Sequence, residues 1–269
     1  MARLRPEQDA FGAAMLAHHR GQHAVEVIER DDGFIDTSIG PEWYFAPFRR
    51  WPPVERAAIR HARGRVLDVG CGAGRVGLHL QGRGLHVLGI DLSPLAVKVA
   101  RLRGVRDARV LSIREITPRL GRFDTFVMYG NNFGLLGGWR EGRRLLRRFA
   151  AMATPGARII ASSNDPYRTK NPAHLAYHRL NRRRGRMPGQ VRMRARFSVH
   201  CSPWFDYLLV SPEEMRRLLA GTGWQAPRLF QSRGSSYAAV IEKAPESVRP
   251  SSAPRRSPPR GRRGPPARR

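Results

Sequence analysis

The stretch Val66-Leu67-Asp68-Val69-Gly70-Cys71-Gly72-Ala73-Gly74 decides how this chain is read. Arg65 to Val69 reads as a buried strand. Glycine then stands at every second position, and a helix is predicted from the next residue to about Gly82. Glycines let the backbone turn sharply and let a ligand approach without a Cβ in the way. The helix that follows offers unpaired N–H groups in its first turn. His86 to Ile90 reads as a second strand, and Asp91 stands at its end. A carboxylate there can accept hydrogen bonds from both hydroxyls of a ribose. Ligands of such sheets bind beyond the carboxyl ends of the strands. Asp68, Gly70, Gly72 and Asp91 are therefore expected to meet in one crevice.

Working outward, strands and helices alternate. Pro53 opens a short helix that Gly64 ends. Ser93-Pro94 is an N-cap with proline at the first helical position, and that helix stops near Gly104. Val110-Leu111-Ser112 is a third strand and Phe123 to Met128 a fourth. Leu145, Leu146, Phe149 and Met152 have helical spacing, which predicts an amphipathic helix over Trp139 to Ala153. Thr154-Pro155-Gly156 is expected to turn it into a fifth strand, Arg158 to Ala161. Repeated strand–helix units imply a parallel sheet with helices on both faces. Asn164 to Val210 then reads as an insertion: a basic helix around Ala173 to Arg184, a half-buried strand with Val191, Met193, Ala195, Phe197 and Val199 on one face, and a partner strand near Trp204 to Val210. Ser211-Pro212-Glu213-Glu214 starts a helix that Gly221 stops. Trp224 to Phe230 and Ser236 to Glu242 form a terminal antiparallel pair.

The glycine stretch resembles motif I of class I S-adenosylmethionine-dependent methyltransferases, acidic-x-Gly-x-Gly-x-Gly, matched by Asp68, Gly70, Gly72 and Gly74. Asp91 matches that family's ribose-binding acid. The resemblance implies a Rossmann-like, doubly wound α/β fold: a mostly parallel seven-stranded sheet with a terminal antiparallel strand pair, an N-terminal cap and an insertion after strand 5. It implies S-adenosylmethionine as cofactor, with Asp68, Gly70, Cys71, Gly72, Gly74, Asp91, Leu92, Ser112 and Ile113 around it. The family's acidic residue after the third strand is absent; Ser112-Ile113-Arg114 stands there, so adenine recognition is expected to rest on backbone and apolar contacts. Two other readings of the stretch stay open. Gly72-Ala73-Gly74-Arg75-Val76-Gly77 also fits the dinucleotide fingerprint of a nicotinamide enzyme. A cofactor-binding module without turnover would carry the same residues.

Tyr129-Gly130-Asn131-Asn132-Phe133-Gly134 follows the fourth strand and resembles the Gly-Asn-Ser-Phe segment of glycine N-methyltransferases and their small-molecule relatives. Tyr129, Asn131 and Asn132 are the catalytic candidates on that resemblance; a plain asparagine turn is the alternative. Methyl transfer by in-line displacement rests on positioning the acceptor lone pair. Acceptor-side candidates are Trp43, Tyr44, Asp165, Trp204 and Tyr207. Trp43, Tyr44, Phe45, Phe48 and Trp51 form an aromatic cluster able to face a sulfonium cation. Asn164-Asp165-Pro166-Tyr167 resembles a base-methylating motif but lies after the wrong strand, and reads as a turn. No Cys/His metal spacing occurs, and no general base is evident.

Composition frames these readings. The 269 residues divide into a cap (1–50), a methyltransferase domain (51–243) holding a lid-like insertion (164–210), and a Pro/Arg-rich tail (244–269) too polar to bury a core. Two cysteines, no long apolar run and no evident leader predict a cytoplasmic protein without disulfides or membrane spans. The formal charge is +28, and almost all of it is arginine, since lysine occurs only at positions 98, 170 and 243. A solvated arginine surface and a nucleic-acid partner, reached through the tail, are both compatible with it. The expected function is methyl transfer to a nitrogen or oxygen of a small molecule. RNA methylation through the basic surface is the alternative.

Overall fold

The computed structural model describes residues 4–37 and 40–245. The predicted disordered tail therefore lies outside the described residues, except Ala244 and Pro245. Ala244 donates to the Gly223 carbonyl at 2.9 Å, so the body extends past residue 243.

The chain opens with helix α1 (Ala10–His19) and strands β1 (Val27–Arg30) and β2 (Ile35–Asp36). Then follow α2 (Pro53–Ala58), β3 (Arg65–Val69), α3 (Arg75–Gly82), β4 (His86–Asp91), α4 (Pro94–Leu102), β5 (Asp107–Val110), β6 (Phe123–Met128), α5 (Trp139–Met152) and β7 (Ala153–Asn164). The insertion supplies α6 (Pro172–Arg183), β8 (Gln190–Phe197), β9 (His200–Cys201) and β10 (Phe205–Leu208). Helix α7 (Pro212–Leu219) and strands β11 (Arg228–Gln231) and β12 (Ser236–Glu242) close the body.

Seven strands form the main sheet in the order β11-β12-β7-β6-β3-β4-β5. The five from β7 to β5 run parallel, and β12 pairs antiparallel with both β7 and β11. The order reverses at β3, whose neighbours β4 and β6 lead in opposite directions, so the switch point falls at the end of the glycine-bearing strand. Parallel strands covered on both faces are largely apolar, and the middles of β3 and β6 are: Val66, Leu67, Phe126 and Val127 are fully buried. The amphipathic reading of α5 holds, with Leu145, Leu146, Phe149 and Met152 inside one core cluster. Ser211 and Glu214 form a capping box that starts α7.

Four boundaries differ from expectation. The third strand is Asp107–Val110, earlier than predicted, because Ser112 leaves it to cap a 3₁₀ turn over Ile113–Glu115. Only Ala108 points inward on this edge strand, and the Asp107–Arg109 pair hides the pattern. The fifth strand begins at Ala153, running through Thr154-Pro155-Gly156 as an irregularity in its pairing with β6. Val199 does not share the buried strand face; β8 ends at Phe197, Ser198 adopts φ 52° and Val199 is 86% exposed. Trp224 precedes β11 and makes only an isolated bridge to Lys243.

The cap and the insertion are one structure. Strands β10-β8-β1-β2 form a second, antiparallel sheet, with β9 on β8. Residues 27–30 of the cap pair with 193–196 of the insertion. Phe11 of α1 meets Phe205 of β10 edge to face.

Candidate functional site

The glycine loop is the centre of the site. Gly70, Gly72 and Gly74 adopt φ of 71°, 51° and 81°, a left-handed backbone that side-chain-bearing residues rarely take. A Cβ on Gly70 would lie 2.5 Å from Asn132 Nδ2. The Gly70 and Cys71 N–H groups both donate to the Ile90 carbonyl at 2.8 and 3.0 Å, which ties the loop to β4. Asp91 faces the same loop: Oδ2 accepts from Gly72 N–H and Oδ1 from Ser93 N–H, each at 2.9 Å. Burial raises its pKa while these two donors oppose the rise. Asn132 Nδ2 donates to the Val69 and Gly70 carbonyls at 3.0 and 2.9 Å. The ends of β3, β4 and β6 are thus hydrogen-bonded into one cradle.

Beneath the loop lie acids that sequence reasoning read only in part. Asp68 is 2% exposed, its Oδ2 is buried with no hydrogen-bond partner among the described residues, and burial pushes its carboxyl up to about 7 against the attraction of Arg75. Arg75, the first residue of α3, pairs with Glu55 of α2 at 2.9 Å and rests its guanidinium on the Trp51 ring. The other Glu55 oxygen accepts from Gly130 N–H at 3.1 Å and from Ser162 Oγ–H at 2.9 Å. One carboxylate therefore fixes α2, α3, the loop after β6 and β7. Sequence reasoning missed Glu55 and Arg75. A cation at a helix N-terminus opposes the helix dipole, and that misfit was the available signal.

The cap closes over the cradle. Asp9 caps α1 at Gly12 N–H (3.1 Å) and also accepts from Ser93 Oγ–H (2.6 Å) and Leu95 N–H (2.9 Å) at the start of α4. Tyr44 lies beside Gly72 together with Met15, and its hydroxyl donates to Glu26 at 2.7 Å. Tyr207 packs on Gly134 and donates to the Asn131 carbonyl at 2.6 Å.

The remaining candidates scatter. Trp43 is 42% exposed, with its neighbour Phe45 turned to His18, His19 and Arg103. Phe48 and Trp51 pack on His79, so the aromatic cluster is not one wall. Trp204 carries the Arg194 guanidinium at 4.5 Å. Asp165 caps its own 3₁₀ turn through Tyr167 N–H at 3.0 Å. Tyr129 is 4% exposed and its hydroxyl donates to the Glu55 carbonyl at 2.8 Å, facing into the body. Leu92 is half-exposed after Asp91, and Ser112 Oγ accepts from Arg114 N–H at 3.2 Å. Arg192, Arg194 and Arg196 of β8 point outward, with side chains 41%, 25% and 46% exposed, and pair there with Asp206 and Glu29.

Residues 66–156 match the family model described as a methyltransferase domain. A S-adenosylmethionine-dependent methyltransferase from Bacteroides fragilis, solved with S-adenosyl-L-homocysteine, superposes with a TM-score of 0.76 at 26% identity, covering 90% of this chain and 98% of that one. In its glycine motif and in its fold the chain is similar to the class I S-adenosylmethionine-dependent methyltransferases. Ubiquinone biosynthesis O-methyltransferases are further relatives: that of Bordetella bronchiseptica is 31% identical over 46% of this chain and 54% of its own length. That of Xanthomonas oryzae is 33% identical over 40% and 46%. The chain thus spans about half the length of the curated relatives it matches. The cradle suits S-adenosylmethionine in kind: left-handed glycines, a carboxylate at the β4 end and a buried acid beneath, one oxygen of which has no hydrogen-bond partner among the described residues.

Proposed function

We propose that this methyltransferase moves a methyl group to a nitrogen or oxygen of a small molecule, held between the main sheet and the cap–insertion sheet. The observation that carries this reading is the joint lid. Cap and insertion share one antiparallel sheet, and that lid reaches the strand ends at two points, Tyr44 on Gly72 and Tyr207 on Asn131. A covered edge suits a compact acceptor, whereas a polynucleotide needs an open, cationic one. The three β8 arginines are engaged with acids, which weakens the nucleic-acid alternative. The O-methyltransferase names of the curated relatives point to small acceptors as well.

When bound, the cofactor supplies an electrophilic methyl on a sulfonium. The chain's residues position and exclude. Asp91, with Leu92 beside it, would hold the ribose; Gly70, Cys71, Gly72 and Gly74 would line the methionine portion; Ser112 and Ile113 would border the adenine. Asn131 and Asn132 shape the β6 end, and the tyrosines shut out water. Positioning of this kind supplies much of the rate in an in-line displacement. With a methyl-labelled donor, a small-molecule extract and bulk RNA can be compared as acceptors. Label in a low-mass product is expected. Label in RNA, lost on replacing Arg182, Arg183 and Arg184, would overturn this reading.

A further inference from the structure

Four acids of the cap are matched with arginine, Glu7 with Arg5 among them, and Asp9 is held by capping contacts to Gly12, Ser93 and Leu95 instead. Glu29 holds Arg194 and Arg196, Asp31 holds Arg184, and Asp32 holds Arg30. Glu26 stands apart. It immediately precedes β1 and is 1% exposed. One oxygen accepts from Tyr44; the other is buried and has no hydrogen-bond partner among the described residues. The charge that acts on it is another acid, Glu42, which raises its pKa further. A protein with 49 lysines and arginines places none of its described cations on this buried carboxylate. Through Tyr44, Glu26 is joined to the site: the Tyr44 ring lies beside Gly72, and its hydroxyl feels Tyr207 and Asp91 as well as Glu26.

A buried carboxylate without a cation is costly, and the cost falls when a cation enters with a ligand. We propose that Glu26 binds the amino group of the methyl acceptor, so that the substrate is a primary or secondary amine; this rests on the small-molecule reading above. The ammonium supplies the charge that the protein withholds. Burial disfavours both ions of that pair and favours neutral amine beside neutral acid. The amine's proton passes to the free Glu26 oxygen, which frees the nitrogen lone pair. That lone pair forms the bond to the methyl carbon as the carbon–sulfur bond breaks, and sulfur keeps the electron pair. The methylated nitrogen leaves as an ammonium ion, and Glu26 returns its proton to water. An alcohol or phenol gains nothing comparable, because its proton transfer leaves an oxyanion in the same dry site. Burial holds the Glu26 carboxyl at about 7, against the lowering effect of the Tyr44 hydrogen bond, so it can exchange a proton near neutrality.

The test uses the full chain, methyl-labelled donor and a small-molecule extract split by cation exchange into a retained amine fraction and a flow-through of neutral and acidic compounds. Label is expected in the retained fraction. Glu26→Gln should lower that labelling by about 100-fold or more, the usual range for a lost proton-transfer group, with the dissociation constant for S-adenosylhomocysteine unchanged. The wild-type rate should fall as the pH drops through about 7, and Glu26→Gln should lose that limb. Tyr44→Phe should move the limb to higher pH. Glutamine keeps the Tyr44 hydrogen bond and removes a buried charge, so the melting temperature should not fall; a fall together with lost labelling would assign Glu26 to packing and overturn the proposal. Label confined to the flow-through, or undiminished in Glu26→Gln, would overturn the proposal and leave the small-molecule reading standing. Label only in RNA would overturn that reading itself.

Discussion

Asp68 and Glu26 are the residues where burial and charge conflict most plainly. Both carboxyls are raised to about 7 by desolvation, whereas unfolded carboxylates titrate near 4. The native state therefore binds more protons than the unfolded chain between those values. Each acid's contribution to stability is complete below about pH 4 and is lost as the pH rises through about 7. Asp68→Asn should accordingly raise the melting temperature at pH 8 relative to wild type and flatten its fall between pH 5 and 8; an unchanged profile in thermal melts would contradict this. At the same scale, Asp68, the glycines and Asp91 were legible in the sequence because their spacing is local. Glu26 and Glu55 were not, because a lone acid among apolar neighbours has no pattern. Only the fold brings Tyr44 to one and Arg75, Gly130 and Ser162 to the other.

Elements are joined here by a few shared polar groups. Glu55 links four segments, and its pair with Arg75 is nearly dry. Removing one partner of such a pair strands the other charge, at a cost of about 3–5 kcal/mol. Glu55→Ala should show that loss in chemical denaturation, and the double replacement with Arg75→Met should recover part of it; single losses that simply add in the double replacement would deny the coupling. Asp9 does similar service for two helix starts, α1 and α4. Asp9→Ala should destabilise by about 1–3 kcal/mol, combining a lost cap with lost charge-assisted bonds, and should loosen amide protection in α1 before the main sheet. Helix limits were legible from caps such as Ser93 and Ser211, whose side chains do cap Ala96 and Glu214. Strand limits at the sheet edge were not. In β5 the only inward residue is Ala108, and in β7 a proline and a glycine suggest a turn where the pairing merely shifts register.

At the scale of the molecule, the main sheet makes the cradle and the smaller sheet covers it. The alternation of strands and helices made the first legible. The second pairs residues more than 150 positions apart, such as Ile28 with Ala195, and no local signal announces such a partner. The charge of +28 belongs to the whole chain, yet the acids Asp9, Glu26, Asp68 and Asp91 gather around the glycine loop, a setting that favours a cationic ligand. The most direct test is calorimetric titration of the full chain with S-adenosylhomocysteine, beside Asp91→Ala. Each lost hydrogen bond to a charged acceptor is worth about 1.5–3 kcal/mol. The account predicts binding by the wild type and an affinity weakened by about 100-fold or more in Asp91→Ala. Tight binding of NAD with none of S-adenosylhomocysteine, or equal affinity in the two proteins, would contradict it.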